Sequence, residues 1–121
     1  MTIGTDIAEV DRIKKLLNAH GDFISRVFTK KEIAYCQRKK NKYQHFAARF
    51  AAKESVMKAV GKGWLQGINW TDIEVINLPS GEPRIKPRGA LKKLMKKIKI
   101  TSFMVSLSHC KEYAIAMVVA Q

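Results

Sequence analysis

At 121 residues with 46% apolar side chains, the chain is long enough to bury a core and too apolar for a disordered segment. No apolar run approaches the ~20 residues that cross a bilayer, and an acidic N-terminus without a basic segment argues against a signal peptide. We therefore expect one cytoplasmic domain over residues 1–121. The net charge of +13 predicts an anionic partner: nucleic acid, a membrane surface, an acidic protein or a phosphorylated small molecule.

The first 28 residues predict a strand and two short helical segments. Residues 2–8 alternate partly between apolar and polar positions, which suits a strand. Asp11 is placed to cap a helix over residues 12–19, which should end at His20 and Gly21. Residues 23–28 carry apolar side chains at the spacing of a helical turn that packs inward.

A capping box marks the next helix. Thr29 and Glu32 have the spacing of that motif, so a helix should run from there to about residue 40. A longer helix is predicted over residues 42–60, with Gly61 placed to take the left-handed position after its end. This is the long central helix of the predicted fold.

The second half of the chain predicts two hairpins separated by a helix. The elements are a strand over 71–77, a turn over 79–81, a return strand over 83–86, a helix opened by Pro87 and Arg88, and strands over 100–108 and 112–120 joined by a turn at 109–111. The fold class is therefore α+β, with an antiparallel sheet packed by helices.

The most informative segment is Phe46–Gly63, where Glu54 and Lys58 lie four residues apart on a mostly apolar helix. Such a pair is commonly a surface ion pair worth a few tenths of a kcal/mol. A second isolated acid, Asp6, lies in the apolar N-terminal strand. Mg²⁺ often binds through one or two carboxylates plus substrate phosphates, and a nearby ammonium can offset phosphoryl charge. The three residues therefore predict a metal–phosphate site as the alternative to a surface pair.

Two further basic residues lie apart from these acids. Arg49 is five positions before Glu54 and thus about 140° around the helix, which directs it to a second ligand region or to another subunit. His109 falls in the predicted turn after a strand, where it is either a ligand contact or a solvent-facing residue.

Three segments closely resemble holo-[acyl-carrier-protein] synthases, the small bacterial 4′-phosphopantetheinyl transferases. They are Gly4-Thr5-Asp6-Ile7, the block Arg49–Glu54 followed by Lys58-Ala59, and Ser106-Leu107-Ser108-His109. The resemblance covers nearly the whole chain in order. It implies a 4′-phosphopantetheinyl transferase-like fold and turns the metal–phosphate interpretation into the preferred one.

The resemblance implies an Mg²⁺-dependent reaction in fatty acid biosynthesis. Asp6 and Glu54 would hold the metal on the coenzyme A pyrophosphate while a carrier-protein serine attacks the phosphorus that bears the pantetheine arm. Adenosine 3′,5′-bisphosphate would leave. Glu54 would accept the proton, directly or through a water, and Lys58 would stabilise the developing charge. The coenzyme A contacts implied are Arg49, Lys58, Gly61, Gly81, Pro83, Ser108 and His109.

The resemblance also implies a homotrimer with sites at subunit interfaces and an acidic acyl carrier protein as partner. Arg12 matches the docking arginine of the family, with Lys15 and Arg26 as helpers. Larger relatives carry a third acid two positions after the first, but this chain has Ala8 there, so water should complete the metal shell.

Two rival functions fit part of the sequence. A metal-dependent nuclease would use the acids, the lysine and the positive charge, but such sites usually place the lysine two residues from the second acid on a strand. A basic nucleic-acid-binding module would use the lysine tracts and leave the isolated acids unexplained, and aromatic-interleaved basic motifs are absent from the sequence. No membrane partner is expected.

Overall fold

The computed structural model describes residues 1–61 and 67–121. Its helices and strands are, in chain order, β1 (Thr2–Glu9), α1 (Val10–Ala19), α2 (Phe23–Val27), α3 (Lys30–Gln37), α4 (Lys42–Val60), β2 (Ile73–Asn77), β3 (Pro83–Pro87), α5 (Gly89–Lys97), β4 (Phe103–His109) and β5 (Tyr113–Ala120). The predicted α+β class is confirmed.

The strands form two antiparallel sheets. The larger sheet has the order β1-β5-β4, and the smaller one is the β2-β3 hairpin. In the larger sheet, Asp6 of β1 lies opposite Ala116 of β5, which in turn lies opposite Leu107 of β4. Since neighbouring strands lie about 4.8 Å apart, β1 and β4 form opposite edges roughly 10 Å from each other. Side chains at these two edges therefore lie on different parts of the protein surface.

Helix α4 is the centre of the packing. Its 19 residues are rich in alanine, and Ala47, Ala48, Ala51 and Ala52 are all buried. Small side chains let the strands of the larger sheet come close to the helix axis. Gly4 of β1 shows how close, because a Cβ added there would lie 1.9 Å from the backbone oxygen of Ser55. The approach of β1 to α4 thus depends on glycine at this position.

A buried ion pair ties α4 to the elements on its other side. The Lys53 ammonium lies 2.9 Å from the Glu32 carboxylate of α3 and donates to the backbone oxygens of Trp70 and Ile73. The same carboxylate accepts hydrogen bonds from the backbone N–H groups of Thr29 and Val75. Both charged groups are fully buried, so the network satisfies them with several hydrogen bonds rather than with water.

The sequence-based element bounds hold with local corrections. Helix α1 begins at Val10 with Glu9 at its N-cap, so the prediction of an Asp11 cap is wrong. Asp11 instead lies in the first helical turn and forms an ion pair with Lys15. The capping box of Thr29 and Glu32 is confirmed.

Other corrections concern the ends of elements. Residues 70–72 form a single 3-10 turn, so β2 starts at Ile73 rather than at residue 71. Strand β4 starts at Phe103 and includes His109, which the prediction had placed in the turn. Gly61 has a positive φ of 84°, but its ψ of −111° differs from the predicted left-handed helical conformation. Lys62 and Gly63, the end of the segment singled out in the sequence, lie outside the described residues.

One face of the larger sheet is apolar and exposed. Alternate residues of its strands point away from α4, and Ile3, Ile7, Met104, Ile115 and Met117 form what we call the outer sheet face. These side chains are between 46% and 63% exposed. Contiguous apolar surface of this kind marks an interaction site more often than free surface.

Within residues 1–61 and 67–121, no helix has both the length and the apolar character needed to cross a bilayer.

Candidate active site

The structure brings Asp6 and Lys58 together where β1 packs on α4. The Lys58 ammonium lies 3.1 Å from Asp6 Oδ1 and donates to the backbone oxygen of Thr5 at 2.8 Å. The Thr2 hydroxyl donates to the backbone oxygen of Ala59 at 2.6 Å and fixes the register of strand and helix next to the pair. We call the group of Asp6, Glu54 and Lys58 the acidic corner.

Glu54 interacts electrostatically with the same pair. Burial raises the pKa of the Glu54 carboxyl, and the Asp6 carboxylate raises that pKa further, while the positive charges of Lys58 and Arg12 oppose the shift. A carboxylate whose ionisation is opposed by burial and by a second carboxylate is in a setting that a bound cation would favour. The surface-pair interpretation, in which Lys58 binds Glu54, is not what the structure shows, because the ion pair of Lys58 is with Asp6.

The donor set of the acidic corner fits a hard divalent cation. It offers carboxylate oxygens and no sulfur or imidazole ligand, as Mg²⁺ prefers. Among the described residues, no group of three His, Cys, Asp or Glu side chains could hold a metal ion. Two acidic ligands leave the remaining coordination positions to water and substrate oxygens, which is a common arrangement for Mg²⁺ on a phosphate substrate.

Arg49 lies on another side of α4 and is 2% exposed. Its guanidinium donates to Asn77 Oδ1 and stacks on the Tyr35 ring, with Cζ 4.1 Å from the ring centroid. Its Nε has no hydrogen-bond partner among the described residues, and none of the ion pairs found there includes Arg49. A buried cation without a counter-ion is costly, so the site is suited to an incoming anion.

Arg49 opens into a cavity of about 430 Å³ that we call the β4-edge cavity. Four of the predicted coenzyme A contacts line it, and they are Arg49, Gly81, Pro83 and His109. The Asn77 side chain donates to the backbone oxygen of Gly81 at 2.9 Å, so one amide holds both the arginine and the β2-β3 turn. The cavity therefore combines positive charge with a preformed wall.

The other predicted coenzyme A contacts lie elsewhere. Lys58 belongs to the acidic corner, and Gly61 follows the end of the same helix. Ser108 is exposed on β4 and is opposite Ile115, and the β4-edge cavity is lined by its neighbours Ser106 and His109 instead. The contact role predicted for Ser108 stays a prediction.

Sequence reasoning missed Tyr35, His45 and Asn77, all of which line the β4-edge cavity. Asn77 ends a predicted strand two positions before a predicted turn, where asparagine is common, so its type pointed only to the approach of that turn. Tyr35 and His45 lie on helices α3 and α4, and nothing in their spacing indicates that they line one cavity with His109. Their role depends on tertiary packing.

The predicted docking residues are placed on the exposed side of the first two helices. Lys15 is in an ion pair with Asp11 at 2.9 Å, and Arg26 with Asp22 at 3.4 Å. Arg12 is exposed, and its charge opposes the rise in the pKa of Glu54, so the two side chains lie within electrostatic range of each other. Of the three, Arg12 is the residue whose charge acts on the Glu54 carboxyl.

A profile of the 4′-phosphopantetheinyl transferase superfamily matches residues 2–118. The chain belongs to this family. It is 43% identical over 119 residues to the holo-[acyl-carrier-protein] synthase of Solibacter usitatus, with 98% of this chain and 95% of that protein aligned.

Solved structures agree with the profile. The holo-[acyl-carrier-protein] synthase of Neisseria meningitidis superposes with a TM-score of 0.90 at 31% identity and covers 99% of this chain and 97% of its own. The Helicobacter pylori synthase, solved in complex with coenzyme A, gives a TM-score of 0.81 at 31% identity over 98% and 99% of the two chains. The family resemblance read from the sequence and the predicted fold are both confirmed.

Proposed function

We propose that this protein transfers the 4′-phosphopantetheine group from coenzyme A to a serine of an apo acyl carrier protein. The products are the holo carrier and adenosine 3′,5′-bisphosphate. The observation that carries the proposal is the acidic corner, where Asp6, Glu54 and Lys58 from a strand and a helix meet in a chain of this family. The synthases to which the chain is similar support the same reaction.

Asp6 and Glu54 are the residues that would hold Mg²⁺. When bound, the cation would polarise the pyrophosphate of coenzyme A and offset negative charge in phosphoryl transfer. Burial suits this role, because a half-buried carboxylate pair gains most from a cation that neutralises it. The negative charges of the two carboxylates would therefore be balanced jointly by the cation and the nearby Lys58 ammonium.

Glu54 and Lys58 divide the chemistry of the transfer step. The carrier serine hydroxyl attacks phosphorus, the bond from phosphorus to the bisphosphate oxygen breaks, and the hydroxyl proton passes to Glu54 directly or through a water. A carboxyl with a raised pKa is a better proton acceptor than an ordinary one. Lys58, whose side chain is 53% exposed, can turn from Asp6 toward the charge that develops on the leaving oxygen.

The β4-edge cavity would bind the adenosine 3′-phosphate end of coenzyme A. Arg49 supplies a buried guanidinium without a carboxylate partner among the described residues, and His109 and the Gly81–Pro83 turn complete the wall. Gly61 and Ser108 are proposed as weaker contacts outside this cavity. The guanidinium of Arg49 favours the 3′-phosphate rather than the uncharged adenine base as the group that it recognises, because its fork geometry matches a phosphate.

The acidic corner and the β4-edge cavity lie at opposite edges of the larger sheet in one protomer. This separation supports a homotrimer whose sites are shared between subunits. Asp6 is on the β1 edge and His109 on the β4 edge, with β5 between them. The apolar outer sheet face joins these edges and is suited to contact a second copy. A site made from the acidic corner of one copy and the β4-edge cavity of its neighbour would bring both to one coenzyme A.

The charge of +13 supports an acidic carrier protein as partner, with Arg12 as the main docking residue and Lys15 and Arg26 as helpers. With these substrates, the protein would act in fatty acid biosynthesis and would be located in the cytoplasm. None of the relatives named above is a nuclease or a nucleic-acid-binding module, and the helical spacing of Glu54 and Lys58 also argues against the nuclease alternative.

Mass spectrometry tests the reaction. The protein is incubated with an apo carrier, coenzyme A and Mg²⁺, and the carrier is weighed. We expect a gain of one phosphopantetheine group, and we expect Glu54→Gln to lower the rate by about 10²-fold or more while the thermal midpoint stays within a few degrees. An unmodified carrier in the presence of the folded wild-type protein would contradict the proposal.

A further inference from the structure

A second histidine faces the β4-edge cavity next to His109. The ring of His45 on α4 lies 5.1 Å from the ring of His109 on β4, in an edge-to-face arrangement. On its other side, His45 contacts the Tyr35 ring of α3 at 5.8 Å. All three rings line the cavity into which Arg49 opens.

The surroundings of His45 are positive. Burial is the largest cause that lowers its pKa, and together with the nearby charges of His109, Arg49 and Lys39 it brings that pKa to about 4. Glu82 is the one acidic residue among the described residues that line the cavity. Its carboxylate is in an ion pair with Arg84. An anion that enters the cavity would therefore meet the Arg49 guanidinium and two imidazole rings, with the carboxylate of Glu82 already paired.

Geometry and charge together give His45 a role that depends on the ligand. Without an anion, burial and the nearby charge of Arg49 disfavour a protonated His45, so His45 is neutral near neutral pH. A phosphate in the cavity would reverse the sign of the local field and favour the charged imidazolium, which could then donate a hydrogen bond to it. The imidazole nitrogen would take its proton from solvent.

We propose that His45 is a further contact for the 3′-phosphate of coenzyme A, and that it takes up a proton when that phosphate binds. The inference rests on the proposed function. It makes His45 a specificity-determining residue, because coenzyme A carries the 3′-phosphate and dephospho-coenzyme A does not. The predicted direction is clear: since His45 is neutral in the free protein and charged in the complex, affinity for coenzyme A should rise as the pH falls from about 8 to about 6 relative to a His45 variant.

Calorimetry with two ligands and two variants tests this. Binding of coenzyme A and of dephospho-coenzyme A is measured at constant Mg²⁺ and pH 6 in buffers of different ionisation enthalpy, which gives the number of protons taken up. His45→Phe keeps the ring contacts without a titratable group, and His45→Gln keeps a hydrogen-bonding side chain without a charge. Proton changes from the phosphate itself are the same in all proteins and cancel on comparison.

We expect wild type to take up about half a proton or more beyond either variant with coenzyme A, and no such excess with dephospho-coenzyme A. Coenzyme A affinity should fall by about tenfold in both variants at pH 6 and by less at pH 8, since one unit of pKa corresponds to a factor of ten. Equal proton uptake by wild type and both variants would overturn the role of His45. Wild-type protein that binds both ligands equally, or neither, would instead overturn the placing of the 3′-phosphate in this cavity.

Discussion

Single residues in this protein carry charge in places where charge is costly, and their surroundings indicate what they do. Arg49 and Glu54 differ from Lys53 in this respect. Lys53 is fully buried but satisfied by Glu32 and two backbone oxygens. Arg49 has no carboxylate partner among residues 1–61 and 67–121, and Glu54 has a raised pKa. Satisfied charges hold the fold together, whereas unsatisfied ones are available to ligands.

Arg12 gives a prediction at this scale. Arg12→Glu should raise the KM for the carrier protein by about tenfold at low salt, because an exposed positive residue beside the acidic corner would now repel an acidic partner. The KM for coenzyme A should change little. Steady-state kinetics with each substrate varied in turn provide the measurement.

Lys96→Glu is the matched control for Arg12→Glu, because it makes the same change in net charge on the exposed side of α5. It should affect the carrier KM much less. If both variants shifted the carrier KM equally, the effect would be one of overall charge and the docking role of Arg12 would be wrong.

At the scale of elements, the acidic corner depends on how closely β1 approaches α4. Gly4→Ala should destabilise the protein by about 1–3 kcal/mol, because the added Cβ would overlap the backbone oxygen of Ser55, and backbone cannot move aside as a flexible side chain can. The same displacement would move Asp6 away from Lys58, so kcat should fall as well. Urea unfolding and the carrier assay measure the two effects.

Gly21→Ala is the matched control, since a Cβ at Gly21 would have nothing within 4 Å. We expect it to leave both the unfolding free energy and the rate close to wild type. A Gly4→Ala protein as stable as Gly21→Ala would show that the strand is free to shift from the helix.

Element types were predictable from the sequence because they depend on local patterns. The Thr29–Glu32 capping box and the alanine-rich helix α4 needed only neighbours a few residues away. Asp11 misled for the same local reason: its side chain could cap a helix, but the helix already begins at Val10, where the chain leaves β1. Local patterns thus predicted which elements form more accurately than they predicted where each element starts.

The site was predictable only in part. Asp6, Glu54 and Lys58 were recognisable as polar residues in apolar segments, and the resemblance to a family linked them. That Lys58 pairs with Asp6 rather than with Glu54 follows from the packing of β1 on α4. The meeting of Tyr35, His45 and Asn77 around Arg49 joins residues up to 42 positions apart in sequence, counted from Tyr35 to Asn77, and no short pattern encodes it.

At the scale of the whole molecule, the proposed trimer makes a prediction about shared sites. Glu54→Gln and Arg49→Gln should each be nearly inactive alone. If each site takes its acidic corner from one copy and its β4-edge cavity from the next, mixed trimers contain some sites with both halves intact. Unfolding and refolding the two variants together should therefore restore part of the activity.

The controls for mixing are each variant refolded alone and the two variants combined without unfolding. Recovery only after joint refolding supports shared sites, while no recovery in trimers shown by native mass spectrometry to be mixed contradicts them. Ile7→Glu on the outer sheet face should shift the protein toward a protomer of 13.7 kDa and lower activity with it.

The central claim is that the Asp6 and Glu54 carboxylates hold one divalent cation together. Electron paramagnetic resonance of Mn²⁺, used in place of Mg²⁺ and titrated with coenzyme A present, measures bound and free cation directly. We predict one bound Mn²⁺ per protomer in wild type and affinity at least about tenfold weaker in both Asp6→Asn and Glu54→Gln, since each variant removes a charged ligand. Wild-type affinity in both folded variants would contradict the account.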